Sequence, residues 1–173
     1  TKMYVDGKVE LSIEKNYNEE EITKTNDAVD EVITKLNLDN LSKKARIEAI
    51  HDYLLNNSTY DKTRSETGTS TYSSNKAIGP LIEKYSICSG YSDTMSIIMD
   101  RYEIPNFKIA SEKHVWNYIN VDSTWYHVDL TWDLPSVGSD KITHTFLLIN
   151  NKELESLDTT EHNFDNTFYI EAK

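Results

Sequence analysis

The chain has 173 residues, 38% of them apolar and 27% charged, with a formal net charge of −11. That length buries one core without staples, and no apolar run nears the ~18 residues of a membrane span. The acidity, with no basic cluster anywhere, argues against nucleic acid or an anionic membrane surface as partner, since both are bound through positive charge.

Cys88 is the single cysteine, so no internal disulfide and no thiolate metal cluster is available. The chain starts at Thr1 without an initiator Met or a signal peptide, and so reads as a domain excised from a longer protein or as a mature product. Plentiful Lys and Asn against three Arg suit an AT-rich bacterial genome.

In chain order, residues 3–13 predict a hairpin turning at Asp6-Gly7. A first helix follows, capped by Asn18, with glutamates at 19–21 in its first turn. Ile22, Val29, Val32, Ile33 and Leu36 form its apolar face. Residues 37–40 break it. A second helix over about 42–56 carries Ala45, Ala49, Ile50, Tyr53 and Leu54 on one stripe. Residues 61–75, rich in Ser and Thr without apolar period, predict a long exposed loop. Gly79-Pro80 opens a short helical piece ending near Tyr85. A third helix starts near Cys88 and turns Tyr91, Met95, Ile98, Met99 and Tyr102 inward, and Pro105 closes that region.

Residues 107–110, 114–121, 124–130 and 143–150 are rich in Val, Ile, Tyr, Trp and Thr and predict strands, with Asp122-Ser123 as a tight turn. From Asn151 a short acidic helix leads to an apolar patch at 164–170. Helices first and strands later indicate an α+β fold, helices packed on an antiparallel sheet. We divide the single domain into a helical N-terminal extension (1–40), a core (41–150) and a C-terminal segment (151–173).

A nucleophilic thiol needs its proton drawn off, its base oriented and its oxyanion stabilised. Cys88 at a helix N-terminus meets a favourable dipole and free backbone N–H groups. Taken alone, it reads more simply as a core cysteine. His114 and Asp129 change the balance. A two-residue turn sets Val121 opposite Thr124, and therefore Trp116 opposite Asp129 and Thr131 opposite His114. His114 and Asp129 then become diagonal neighbours on one face, close enough for a carboxylate to orient an imidazole. A three-residue turn would put Asp129 on the other face.

Cys-Ser-Gly-Tyr at 88–91, His-Val-Trp-Asn at 114–117 and Trp-Tyr-His-Val-Asp-Leu-Thr-Trp-Asp at 125–133 together resemble the motifs of transglutaminase-like (papain-like) cysteine enzymes, in the order Cys, His, Asp. The resemblance runs from about residue 51 to residue 148. It implies a Cys-bearing helix packed on an antiparallel sheet, Cys88 as nucleophile, His114 as general base and then acid, and Asp129 as orienter. One departure is Ser86, where many relatives have Gly. Tyr60, upstream of the thiol, and Trp116 are further candidates for the oxyanion site or the cleft. His51, His127, His144 and His162 show no zinc-site spacing and are read as structural or surface residues. No metal or cofactor is expected.

The implied activity is thiol-dependent acyl transfer on peptide or carboxamide substrates: a protease or amidase, or a crosslinking transglutaminase, with water or an amine as acceptor. The alternative is a catalytically silent module of a cell-surface protein. Bacterial relatives point to an extracellular or cell-surface setting and a protein or cell-wall peptide substrate.

Overall fold

A computed structural model describes residues 2–3, 6–10, 12–136, 138–165 and 167–169. Short strands β1 (Lys2–Met3) and β2 (Val9–Glu10) pair antiparallel, as the predicted hairpin requires. Tyr4, Val5 and Leu11 of that hairpin lie outside the described residues.

Helix α1 (Glu19–Lys35) begins with a reciprocal cap. The Asn18 side chain accepts from the Glu21 N–H and the Glu21 carboxylate from the Asn18 N–H, both at 2.9 Å. Asn37, in the left-handed region at φ 52°, ends it. Helix α2 (Lys43–Asn57) starts at the Ser42 cap and buries Ile47, Ile50, His51, Leu54 and Leu55. The apolar stripe of α2 is thus shifted from the predicted one, and Ile22 of α1 is largely exposed. Val29, Val32 and Leu38 share one core with Leu54, Met95 and Ile98, so helix α1 and the turn after it are built into the main core.

Residues 61–75 are not the open loop that composition suggests. After β3 (Thr59–Tyr60), Asp61 caps a short helix, α3 (Lys62–Thr67). The Asp61 carboxylate accepts from the Ser74 hydroxyl at 2.6 Å and the Arg64 N–H at 3.1 Å. The Arg64 guanidinium donates to Ser74 Oγ and to the Tyr72 carbonyl. Polar bonds replace the apolar period that a sequence pattern would register. A π-helical turn (Gly79–Glu83) then leads into β4 (Tyr85–Ser86), which pairs parallel with β3.

Helix α4 (Cys88–Arg101) packs on a four-stranded antiparallel sheet: β5 (Asn106–Ala110), β6 (Val115–Val121), β7 (Thr124–Val128) and β8 (Leu147–Ile149), neighbours in that order. Val121 pairs with Thr124 across a two-residue turn, and Asn117 pairs with Val128 at the far end of the same ladder. Ile119, Val121 and Val128 face the helical core. Trp116, Tyr118 and Trp125 face a second, aromatic cluster with Phe146, Ile149 and Leu154 of helix α5 (Asn151–Leu157).

Two strands are shorter than predicted. β7 ends at Val128, before a 3-10 turn over Thr131–Asp133. β8 begins only at Leu147, because buried Asp133 captures the preceding residues: its carboxylate accepts from the Thr143 hydroxyl at 2.6 Å and from the Thr145 and Phe146 N–H groups. Of the C-terminal apolar patch, Asn166 and Ile170 lie outside the described residues.

Candidate active site

Cys88 is the first residue of α4 and is partly exposed. Ile87, in the cap position, supplies no capping side chain. The first N–H groups of a helix have no intrahelical partner, so those of Cys88, Ser89 and Gly90 are suited to receive an anion. The preceding residue pair is strapped down. Ser86 is fully buried and its hydroxyl donates to the Ile87 carbonyl at 3.0 Å, while the Ile87 N–H donates to the Ser74 carbonyl at 2.9 Å. A serine thus stands in the departing position with its hydroxyl satisfied.

His114 leads into β6 from a tight turn. Its N–H donates to Ser111 Oγ at 3.2 Å and its carbonyl accepts from the Ser111 N–H at 2.9 Å. Its Nε2 lies 2.5 Å from Asp129 Oδ2, with both side chains buried. Cys88 lies close enough to act electrostatically on the same ring. Asp129 follows β7, held by its N–H on the Phe146 carbonyl at 3.0 Å and by Thr131 N–H on its Oδ1 at 2.8 Å. Two cross-links seat β6 on α4. Asn117 Nδ2 donates to the Ser92 carbonyl at 3.0 Å and to Ser96 Oγ at 2.9 Å, and the Ser92 hydroxyl donates to the Val115 carbonyl.

The electrostatics favour charge in this line. Burial alone would push His114 down, but its hydrogen bond to Asp129 and the influence of nearby Cys88 prevail and raise it to about 10. Burial would likewise lift Asp129, yet the two imidazoles on it hold it below the usual carboxylate range. A protonated imidazole beside a sulfur is the arrangement that sustains a thiolate at neutral pH.

The other candidates divide. Tyr60 is half-buried close to Cys88 and Asp129, whose charges act on its phenol, and its hydroxyl donates to Ser65 Oγ at 3.3 Å. Beside it runs an open groove of about 710 Å³ whose walls include Thr63, Thr71, Tyr72 and Tyr85. Trp116 does not serve an oxyanion or an open cleft. It is 1% exposed, its indole N–H is spent on His127 Nδ1 at 2.9 Å, and its ring forms the wall behind His114, 5.7 Å between centroids. His127 is held neutral by burial, pushed down to about 4, with Nε2 against Asn151 Oδ1.

His51 is fully buried between Asp133 and Asp52, and His144 meets Asp52 Oδ1 at 2.7 Å. His162 is the residue whose connection sequence reading missed: it lies in hydrogen-bond contact with Asp129, 33 residues away in the chain. The one local signal is its i, i+4 spacing from Asp158.

Among the described residues, two groups gather three potential ligand atoms each, His51 with Asp52 and His144, and His114 with Asp129 and His162. In both, imidazole nitrogens meet a carboxylate oxygen at 2.5–2.9 Å. Ligands placed tetrahedrally about a zinc ion stand roughly 3.3 Å apart, so hydrogen bonds account for these spacings better than a metal ion does.

A Cys-bearing helix on an antiparallel sheet, with His114 and Asp129 at the ends of neighbouring strands, has a transglutaminase-like, papain-like fold. The chain superposes on a crystal structure of a TGase with a TM-score of 0.57 at 17% identity, covering 67% of this chain and 34% of that one. A second similar structure is a candidate cysteine protease from Cytophaga hutchinsonii, with a TM-score of 0.48 at 16% identity, covering 74% of this chain and 47% of that one. The chain therefore spans about a third to a half of these structures. No protein-family model and no curated protein matches the sequence.

Proposed function

We propose that the chain is a thiol-dependent acyltransferase or hydrolase in which Cys88, His114 and Asp129 act together. The observation that carries the reading is the buried His114–Asp129 hydrogen bond set close to Cys88, which opens a helix whose N-terminus has no capping side chain. The Cys88 sulfur attacks a carboxamide or peptide carbonyl. The oxyanion forms against the N–H groups of the first turn of α4. The His114 imidazolium gives its proton to the departing nitrogen as the C–N bond breaks, leaving a thioester and a free amine or ammonia. His114, now neutral, takes a proton from water or from an amine, which attacks the thioester and frees the thiol. Water yields hydrolysis and a lysine amine yields a crosslink. Asp129 keeps the imidazole aimed throughout.

The substrate in this reading is a protein or cell-wall peptide in an extracellular or cell-surface setting. The groove beside Tyr60 supports an extended substrate: Tyr72 and Tyr85 stack at 3.9 Å there and offer an aromatic wall.

Iodoacetamide labelling of the folded protein near pH 7, followed by release of product from casein-like acceptors and peptidoglycan peptides, tests the proposal. Cys88 is expected to label readily, and Cys88→Ala or His114→Ala to lower turnover by at least about 10³-fold. Labelling only after unfolding would sink the enzymatic reading in favour of a silent module.

A further inference from the structure

Asp129 accepts from two imidazoles on one oxygen. His114 Nε2 lies 2.5 Å from Oδ2, and His162 Nε2 lies 2.9 Å from that same atom. The other nitrogen of His162, Nδ1, lies 2.9 Å from Asp158 Oδ2, and the His162 N–H reaches that oxygen as well, also at 2.9 Å. The His162 side chain is 0% exposed. Trp116 and Trp132 meet its ring edge-on at 4.8 Å, and Phe146 stacks on it at 5.2 Å. The ring is therefore buried and held in one orientation.

Carboxylates only accept. An imidazole donates one N–H when neutral and two when protonated. Both nitrogens of His162 face carboxylate oxygens, so both contacts are hydrogen bonds only when the ring carries both protons. The titratable groups around it are Asp158, Asp129, His114, whose ring lies 5.3 Å away edge-on, and His127. Charge then alternates from Asp158 through His162 and Asp129 to His114.

We propose that His162 is a positioning residue for the Cys88–His114–Asp129 site, clamping the Asp129 carboxylate between two imidazoles and contributing a buried positive charge on the far side of it. This rests on the reading of those three residues given above. The chemistry of the clamp is simple. One partner on each oxygen already sets the plane of a carboxylate, and a second donor on Oδ2 stiffens it further. With Thr131 N–H on Oδ1 and two imidazole donors on Oδ2, Asp129 has one orientation, and so has His114. Losing His162 loosens His114 and removes a cation, and both changes disfavour a thiolate at Cys88.

The test is the pH profile of iodoacetamide alkylation of Cys88 in the wild-type protein and in His162→Ala, His162→Gln, Asp158→Asn and His114→Ala. In His162→Ala the rate at pH 7 is expected to fall about tenfold and to return near pH 9. Asp158→Asn is expected to move the profile in the same direction by less. Wild-type profiles in every His162 and Asp158 variant, alongside a depressed His114→Ala, would overturn the proposal and leave the triad standing. An unchanged His114→Ala would overturn the triad reading itself. Should the His162 variants not fold, imidazole ¹⁵N signals of the wild type decide: both His162 nitrogens protonated at neutral pH supports the clamp, and a neutral tautomer refutes it. A rise in Cys88 reactivity with release of zinc on chelation would also refute it, by making these three side chains a metal site.

Discussion

At the scale of single residues, Gly90 sets how closely the reactive helix approaches its support. A Cβ there would come 2.3 Å from the Ser74 carbonyl oxygen and 2.6 Å from Ser86 Oγ. The first of these is backbone, and it belongs to the segment that also binds the Ile87 N–H. Gly90→Ala is expected to cost about 1–3 kcal/mol, read as a lower urea midpoint, and to reduce Cys88 alkylation because the first turn of α4 must shift. The meeting of His114 with Asp129 was legible in sequence through the ordered motifs and the turn length. His162 was not. Its two carboxylate partners include one 33 residues away, and a histidine before an apolar patch looks like any structural histidine.

Among the elements, the turn between β6 and β7 decides whether His114 and Asp129 share a face. Both turn residues are left-handed, Asp122 at φ 53° and Ser123 at φ 69°, the geometry of a two-residue hairpin that matches the strand twist. The register expected from a two-residue turn is the one observed. Non-glycine residues in this region carry strain. Replacing the pair by Asn-Gly is expected to stabilise the fold by about 0.5–1 kcal/mol, seen as a rise in Tm with Cys88 reactivity unchanged. A fall in Tm would mean that the exposed Asp122–Lys43 ion pair, at 3.3 Å, outweighs the backbone term. The segment 61–75 and the start of β8 were illegible for one shared reason. Each is organised by a buried carboxylate, Asp61 or Asp133, collecting donors, and such a hub leaves no periodicity.

Across the whole molecule, 29 acidic residues face 18 basic ones, so pH acts strongly on stability. On the acid side, burial would raise Asp61 and Asp158. Donors overrule it: Ser74 and Arg64 for Asp61, and Thr160 and His162 for Asp158. Both carboxyls are held below the ordinary range. Folded values below unfolded ones mean stability that is present above about pH 4 and is lost as pH falls further. On the alkaline side the sign reverses. The value of His114, raised to about 10, gives stability fully present below the ordinary histidine value near 6.5 and lost as pH rises through about 10. Urea midpoints followed across pH are expected to drop at both ends, with the alkaline drop reduced in His114→Ala. An alkaline limb unchanged in that variant would remove His114 as its cause.

What the sequence by itself determined is the local and the periodic: the capped helices, the α+β order, the hairpin register and the ordered Cys, His and Asp motifs. Each rests on residues a few positions apart, or on patterns that repeat at 2 or 3.6 residues. What only the tertiary structure decided is which distant polar groups share a proton. The indole of Trp116 went to His127, Asp133 took the strand's opening residues, and Asp129 received a second imidazole from the C-terminal segment. Such pairings form where buried donors and acceptors must find one another once water is excluded, and sequence spacing carries no record of that.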